Sequence, residues 1–301
     1  MQTVEYPPAR QRGLTFLSLL SVILAAVASA LGWLASTEPI GPLFTLYILL
    51  AALFGGPLPA VLYRLYSLQR GSYALDRDKL TIAWGLRTEQ IPVADIEWVR
   101  PLSALAGNVP LPALRLPGSL VGTRRHPDLG PIEFLASQAD TLLLVATARQ
   151  VFAISPQDPA GFMEAVQRTI EMGSLSPAAA QSVYPSFVVA EAWESRLNRY
   201  LWLAGLLLNI GLLAWVGLIA PSLGRVPLGF LPSGQPGETV PAVGLILLPV
   251  VSLFFSVFGW VAGLYFYRRP DQRLLAQLVW GSGVLTPLLF LLAVLFLVTI
   301  P

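Results

Sequence analysis

Two hydrophobic patterns divide the chain. The first is the long apolar run without charge. Leu14 to Ala35 contains 22 such residues. At about 1.5 Å of rise per residue, a helix of this length spans a hydrocarbon core of about 30 Å. Similar runs lie at about Leu43 to Tyr63, Tyr200 to Ala220, Val240 to Tyr267 and Leu274 to Ile300. Together they predict five membrane spans. The second pattern is short alternation, confined to the stretch between the second and third runs. Strand-like segments fall at Tyr73 to Asp76, Lys79 to Ala83, Leu86 to Ile91, Ile96 to Val99, Ile132 to Ala136, Leu142 to Thr147 and Gln150 to Ile154. Apolar and polar positions alternate in several of them, as in a half-buried strand.

A helix follows the last strand. Asp158 suits its N-cap, Pro159 its first turn and Gly173 its stop. Phe162, Val166, Thr169 and Ile170 predict one apolar face at helical spacing. The expected organisation is an N-terminal transmembrane hairpin over 1–66, a β-rich domain over 67–173, a linker over 174–199 and a C-terminal transmembrane region over 200–301. Gly55-Gly56-Pro57 predicts a kink in the second span, and Pro249 and Pro287 predict bends in the last two. Ala28-Ser29-Ala30 fits a signal-peptidase pattern. The apolar run continues past it through Trp33, longer than a signal core, and reads as a retained span.

Composition narrows the chemistry. Charged residues make up 12% of the 301 positions, about half the share of a soluble domain. The chain has no cysteine and a single histidine, His126. Thiolate sites, disulfides and multi-histidine metal sites are excluded, and no metal or cofactor is expected. A net charge of +2 gives no nucleic-acid footprint.

Arginine placement predicts the orientation. If the spans alternate, Arg10, Arg12, Arg64, Arg70, Arg196, Arg199, Arg268, Arg269 and Arg273 share one side, and Arg225 falls on the other. The positive-inside rule puts the N-terminus and the β-rich domain in the cytoplasm and the C-terminus outside. The expected location is the inner membrane of a bacterial cell, crossed several times. The spans carry no Asp, Glu, Lys, Arg or His in their interiors, which weighs against an ion-coupled pump. Asn209 is the most polar group at depth and reads as a helix-packing residue, as do Gly259 and Gly263 of a GxxxG pattern.

Tyr73-Ala-Leu-Asp-Arg-Asp-Lys-Leu-Thr-Ile-Ala-Trp-Gly-Leu-Arg87 with Ile91-Pro92, then Leu116-Pro117-Gly118-Ser-Leu-Val-Gly122, Gly130-Pro-Ile-Glu-Phe-Leu-Ala136 and Val151-Phe-Ala-Ile-Ser-Pro-Gln-Asp-Pro-Ala-Gly-Phe162 occur in that order. These segments resemble the membrane-bound bacterial PH-like (pleckstrin homology-like) domains. The resemblance covers about 100 residues and implies a β-rich fold of seven strands closed by one C-terminal helix. It implies a location more than an activity. Phosphoinositide-binding PH domains carry clustered basic residues in the first strand-turn-strand. The matching turn here, Asp76-Arg77-Asp78-Lys79, is electrically balanced.

The densest basic cluster is Arg124-Arg125-His126, with Arg115 nearby in sequence. It lies in a proline- and glycine-rich insertion between strands, and these four are the candidate contacts for an anion or lipid head group. Trp84 and Trp98 read as packing residues. No HExxH, GxSxG, P-loop or GxGxxG motif is present, and Ser119, Ser137 and Ser155 have only one histidine to draw on. The expected function is that of a non-enzymatic membrane protein whose PH-like domain is a binding or assembly platform, with the lipid bilayer and either a protein partner or a second copy of the chain as partners. The alternatives are a transport or channel component regulated by that domain, or an anionic-lipid sensor.

Overall fold

The structure is a computed structural model. It describes residues 3–104, 109–112, 116–173, 180–183, 187–227 and 239–299. The chain forms two compact units, one from residues 1–25 and 56–185, the other from 26–55 and 186–301.

Among the described residues, five helices are long and apolar enough to cross a membrane: Gln11–Thr37, Pro42–Arg70, Arg196–Ser222, Ala242–Tyr267 and Arg273–Thr299. In the first unit the chain opens with β1 (Val4–Tyr6) and enters α1 (Gln11–Thr37). The second apolar stretch is broken into α2 (Pro42–Gly55) and α3 (Leu58–Arg70). The break sits at Gly56-Pro57, where proline withholds a backbone donor and its ring crowds the preceding turn.

The central domain follows. It comprises β2 (Ser72–Leu75), β3 (Lys79–Trp84), β4 (Arg87–Pro92), β5 (Ile96–Pro101), β6 (Leu120–His126), β7 (Gly130–Ala136), β8 (Leu143–Thr147), β9 (Val151–Ile154) and α4 (Pro159–Met172). β10 (Gln181–Val183) comes after the helix. One sheet has the order β1-β2-β3-β4-β10 and the other β5-β8-β9-β7-β6. β7 and β9 pair in parallel, and the other pairs are antiparallel.

Both edges of the first sheet are therefore extended by chain from outside the predicted domain. Residues before the first span form β1, and part of the expected linker forms β10. A polar stretch of three residues on a sheet edge is stable only because the ladder supplies its hydrogen bonds, so neither is visible as a strand in the sequence. Gln157 N–H also donates to Pro7 O at 2.9 Å, and the Tyr6 ring meets Phe162 edge-on at 5.2 Å.

The core lies between the sheets and under α4. Tyr73, Leu80, Ile82, Leu135, Leu143, Val145, Ile154, Phe162 and Val166 are buried there together. The second sheet is buried on its other face as well, by Ile132, Phe134, Leu144 and Ala153 with Val109 and Leu120. Two-sided burial explains why β7 to β9 read as nearly continuous apolar runs. Asp158 caps α4 by accepting from Gly161 N–H at 3.0 Å. Phe162, Val166 and Thr169 face inward. Ile170 does not, and is exposed. One residue of helix turns it about 100° beyond Thr169, off the buried stripe.

In the second unit, α5 (Phe187–Glu194), α6 (Arg196–Ile219), α7 (Leu247–Tyr267) and α8 (Arg273–Thr299) pack together, and α2 joins α6. Between α6 and α7, β11 (Arg225–Pro227) and β12 (Thr239–Pro241) pair antiparallel. Pro287 lies inside α8. Gly259 and Gly263 pack within this unit. A Cβ on Gly259 would stand 3.8 Å from Val279 O, and one on Gly263 would overlap the Trp280 indole. Small residues here let α7 and α8 approach closely.

Tyr73 ties the central core. Its hydroxyl donates to Leu135 O at 2.7 Å and accepts from Ser155 N–H at 3.2 Å. Burial pushes its phenol above the ordinary tyrosine value. The neutral form is the one the fold favours. Its stabilising contribution is complete below about pH 10 and is lost as pH rises through the raised folded value. In a tyrosinate absorbance titration of the detergent-solubilised chain, one tyrosine is therefore expected to ionise only as the domain unfolds. Tyr73→Phe removes that step, and an unchanged titration curve contradicts the assignment.

Candidate functional site

The polar chemistry of the central domain is concentrated where the two sheets meet. The β3–β4 hairpin turns at Gly85, whose φ of 64° suits glycine. This sets the alternation of β4, so that Arg87, Glu89 and Ile91 share the inward face. On β7, Ile132 and Phe134 face the outer core, which leaves Glu133 facing the first sheet. The result is a buried ion triad. Arg87 binds the Glu133 carboxylate through both terminal nitrogens. Its Nε donates to Glu89 Oε1 at 2.7 Å.

All three residues are 3–4% exposed. Burial disfavours the guanidinium charge, but the hydrogen bonds and attraction of Glu133 and Glu89 outweigh it and hold Arg87 above its ordinary value. Gln150 Nε2 donates to the second Glu133 oxygen at 3.4 Å. A guanidinium held charged between two carboxylates does not shuttle protons. The triad is built to brace the sheets.

Beside the triad opens a cleft of about 390 Å³. Glu89, Pro92 and Asp95 form one wall and Arg149 and Gln150 of the β8–β9 turn the other, with Gln181 of β10 at the end. Thr147 Oγ1 donates to Gln150 O at 2.8 Å and shapes that turn. Lys79 Nζ donates to Gln90 Oε1 at 3.1 Å near the rim. The walls offer carboxylates, carboxamides and a guanidinium in a space suited to a few side chains of a partner or a small polar ligand.

The sequence-predicted head-group cluster is arranged differently from a phosphate-holding loop. Arg124, Arg125 and His126 lie on β6, in register with Ile132, Pro131 and Gly130 of β7. Strand alternation sends Arg125 to one face and its two neighbours to the other. Arg125 is exposed, and Arg124 and His126 are half-buried. His126 Nδ1 accepts from Asp128 N–H at 3.2 Å. Arg115 lies outside the described residues.

Ser137 and Ser155 are buried and pair with each other, Oγ to Oγ at 2.9 Å. Trp84 lies in the core and stacks on Tyr73 at 6.5 Å. Trp98 packs at the outer core. Among the described residues no three His, Cys, Asp or Glu side chains gather as a metal site. At depth in the second unit, Asn209 Nδ2 donates to Ser256 Oγ at 2.9 Å, and its Oδ1 accepts from Ser252 Oγ at 2.8 Å. These bonds join α6 to α7.

The sequence reading did not single out the triad, although a signal for it was present. Arg87 and Glu89 stand at positions of β4 that share a face with Ile91, and Glu133 interrupts an apolar strand. Charges at core positions point to mutual pairing.

Removing the cation leaves two carboxylates buried together. Arg87→Met is expected to destabilise the domain by about 3–5 kcal/mol, whereas Arg87→Met with Glu89→Gln and Glu133→Leu recovers most of the loss. Hydrogen exchange of the β4 and β7 amides in the full chain checks this. Wild-type protection in Arg87→Met contradicts the bracing role.

Comparison with known families agrees with this architecture. Residues 71–170 match the family described as the bacterial PH domain. No curated protein and no solved structure matches the chain. The stretch that holds the ion triad and ends in α4 thus matches the bacterial PH domain, and among the described residues the chain also carries five helices long and apolar enough to cross a membrane.

Proposed function

We infer that this is a non-enzymatic, multi-pass protein of a bacterial inner membrane, whose PH domain is a cytoplasmic platform that binds a protein partner through the cleft between β4 and the β8–β9 turn. The observation that carries this reading is the pairing of a rigid wall with an open one. The Arg87 triad fixes the β4 side from beneath, while Asp95 and Arg149 line the space above it. A braced floor holds recognition groups in place without giving them a proton to move.

The cleft also has the chemistry of a polar protein contact. It offers opposite charges within one small space, which favours a partner segment carrying both. Nucleic acid does not fit walls with two carboxylates. The arginine asymmetry across the predicted spans supports the cytoplasmic side. The Asn209 node supports a packing role for the most polar group in the spans, because its amide is spent on two serines. The transport reading therefore draws no free polar group from Asn209.

A photo-crosslinking residue at Arg149 is expected to capture one protein of defined mass in living cells, while the same residue at Arg125 on β6 captures it poorly. Equal capture at both positions, or none at Arg149, contradicts the cleft. The lack of native cysteine makes orientation equally testable. A membrane-impermeant maleimide is expected to label Ser222→Cys in intact spheroplasts, and Ala94→Cys only after lysis. The reverse pattern overturns the orientation.

A further inference from the structure

Two tight turns of the PH-like domain rest on the ends of the first two apolar helices, and both contacts fall inside the first unit. One is the β3–β4 turn. Its two residues, Gly85 and Leu86, lie between the paired Trp84 and Arg87. Gly85 sits so close to α3 that a Cβ there would overlap Ser67 Oγ and stand 3.2 Å from the Tyr63 hydroxyl. The other turn runs from Leu116 to Ser119, which bond to each other through both backbone groups. A Cβ on its Gly118 would overlap Gly13 Cα of α1 and stand 2.8 Å from Leu68 Cδ2 of α3. Each turn is thus pinned to a helix backbone or to a side chain next to it.

These contacts set the level of the turns along the helices. The charge-free run of α1 begins at Leu14, one residue after Gly13. On α3, Tyr63 closes the apolar run and Arg64 is the first charge after it. Ser67 and Leu68 follow about one helical turn later. Both turns therefore stand at the border where the apolar part of each helix ends. Residues 7–24 and 56–75 carry Arg10, Arg12, Arg64 and Arg70 and no acid. Arginine without acid at the end of an apolar helix is the pattern of the lipid head-group level. Leu62 and Tyr63, on the apolar side of that border, are exposed.

Leu86 is out of place for a turn in water. It is 52% exposed, in a position that favours small polar residues. A single exposed leucine means little on a free surface. This one is carried on a turn whose height is fixed by Tyr63 and Ser67. Pro117, next to Gly118 on the other turn, is exposed as well. The far end of the first sheet has the opposite character. The β3–β4 ladder pairs Trp84 with Arg87 at one end and Lys79 with Pro92 at the other. Five steps of about 3.4 Å put these ends about 17 Å apart. The far end carries the charged turn Asp76-Arg77-Asp78, and Pro92 and Asp95 of the cleft lie there.

We propose that the β3–β4 turn is a membrane-contacting tip, with the Leu86 side chain lodged between lipid head groups and acyl chains. The occupant of this surface is the bilayer itself, because the turn is fixed to a helix at the level where its exposed apolar side chains give way to arginine. The contact is apolar, so it needs no particular head group. It holds one end of the first sheet at the membrane surface and leaves the cleft end away from it. The proposal rests on the reading of α1 and of α2 with α3 as membrane spans.

The chain has no cysteine, so a spin label can be placed at one chosen position. The full chain with Leu86→Cys is labelled and reconstituted into dioleoyl phosphatidylcholine vesicles. Collisions of the label with oxygen, which concentrates in lipid, are compared with those of a neutral nickel chelate, which stays in water. Leu86 is exposed, so the label displaces no packed group. Two further positions calibrate the reading. Leu19→Cys is on α1, where Leu19 is 62% exposed, and Ala94→Cys is at an exposed site two residues beyond Pro92.

The labels at Leu86 and Leu19 are expected to favour oxygen, and the label at Ala94 the nickel chelate. Preference for nickel at Leu86 overturns the proposal. Shielding of Leu86 from both reagents overturns it too, since protein then covers the turn. Nickel preference at Leu19 as well would sink the span reading, whereas oxygen at Leu19 with nickel at Leu86 removes the tip alone.

Discussion

The central domain depends on one guanidinium. Arg87 stands between two sheets that share a core and makes its bonds to both, to Glu89 on its own strand and to Glu133 across the gap. Two buried carboxylates repel, and neither has water to dissipate its charge. The arginine turns that repulsion into attachment, but only at one separation and one register of β4 against β7. A hydrophobic contact in the same place tolerates sliding, whereas a bidentate ion pair does not. The position of the cleft follows, because its wall at Glu89 and the β8–β9 turn at Gln150 both touch the triad.

The second unit solves a related problem with different means. Its helices have little besides shape to direct their packing, since apolar side chains gain nothing from leaving lipid for one another. Small residues at Gly259 and Gly263 admit close approach, and the Asn209 amide fixes α6 against α7 through two serines. Where α6, α7 and α8 meet, Trp202 packs edge-on against Trp260 and Trp280. In both units the polar groups are few, and each sits where it decides a geometry.

Much of this was readable from the chain. The five long apolar helices follow from length and hydropathy. The seven predicted strands correspond to β2, β3, β4, β5, β7, β8 and β9, and the capped helix to α4, because alternation and capping are local signals. β6 was hidden by the proline- and glycine-rich stretch around it, and its pairing with β7 moves Arg124, Arg125 and His126 from an expected loop to an edge strand. β1 and β10 are too short to show a period and exist only through their neighbours. The triad was missed for another reason. Arg87 and Glu133 are 46 residues apart in sequence, and pairing across that distance is a property of the fold. Ile170 shows the opposite limit, since an apolar residue next to a buried stripe need not belong to it.

The proposed role of the PH-like domain is that of a docking place for another protein. The most direct test is to purify the chain from native membranes in mild detergent, weigh the particle and identify everything retained. The account predicts one protein partner at a fixed ratio, in addition to lipid. A particle containing only this chain that turns over a substrate or passes one across sealed vesicles would contradict it.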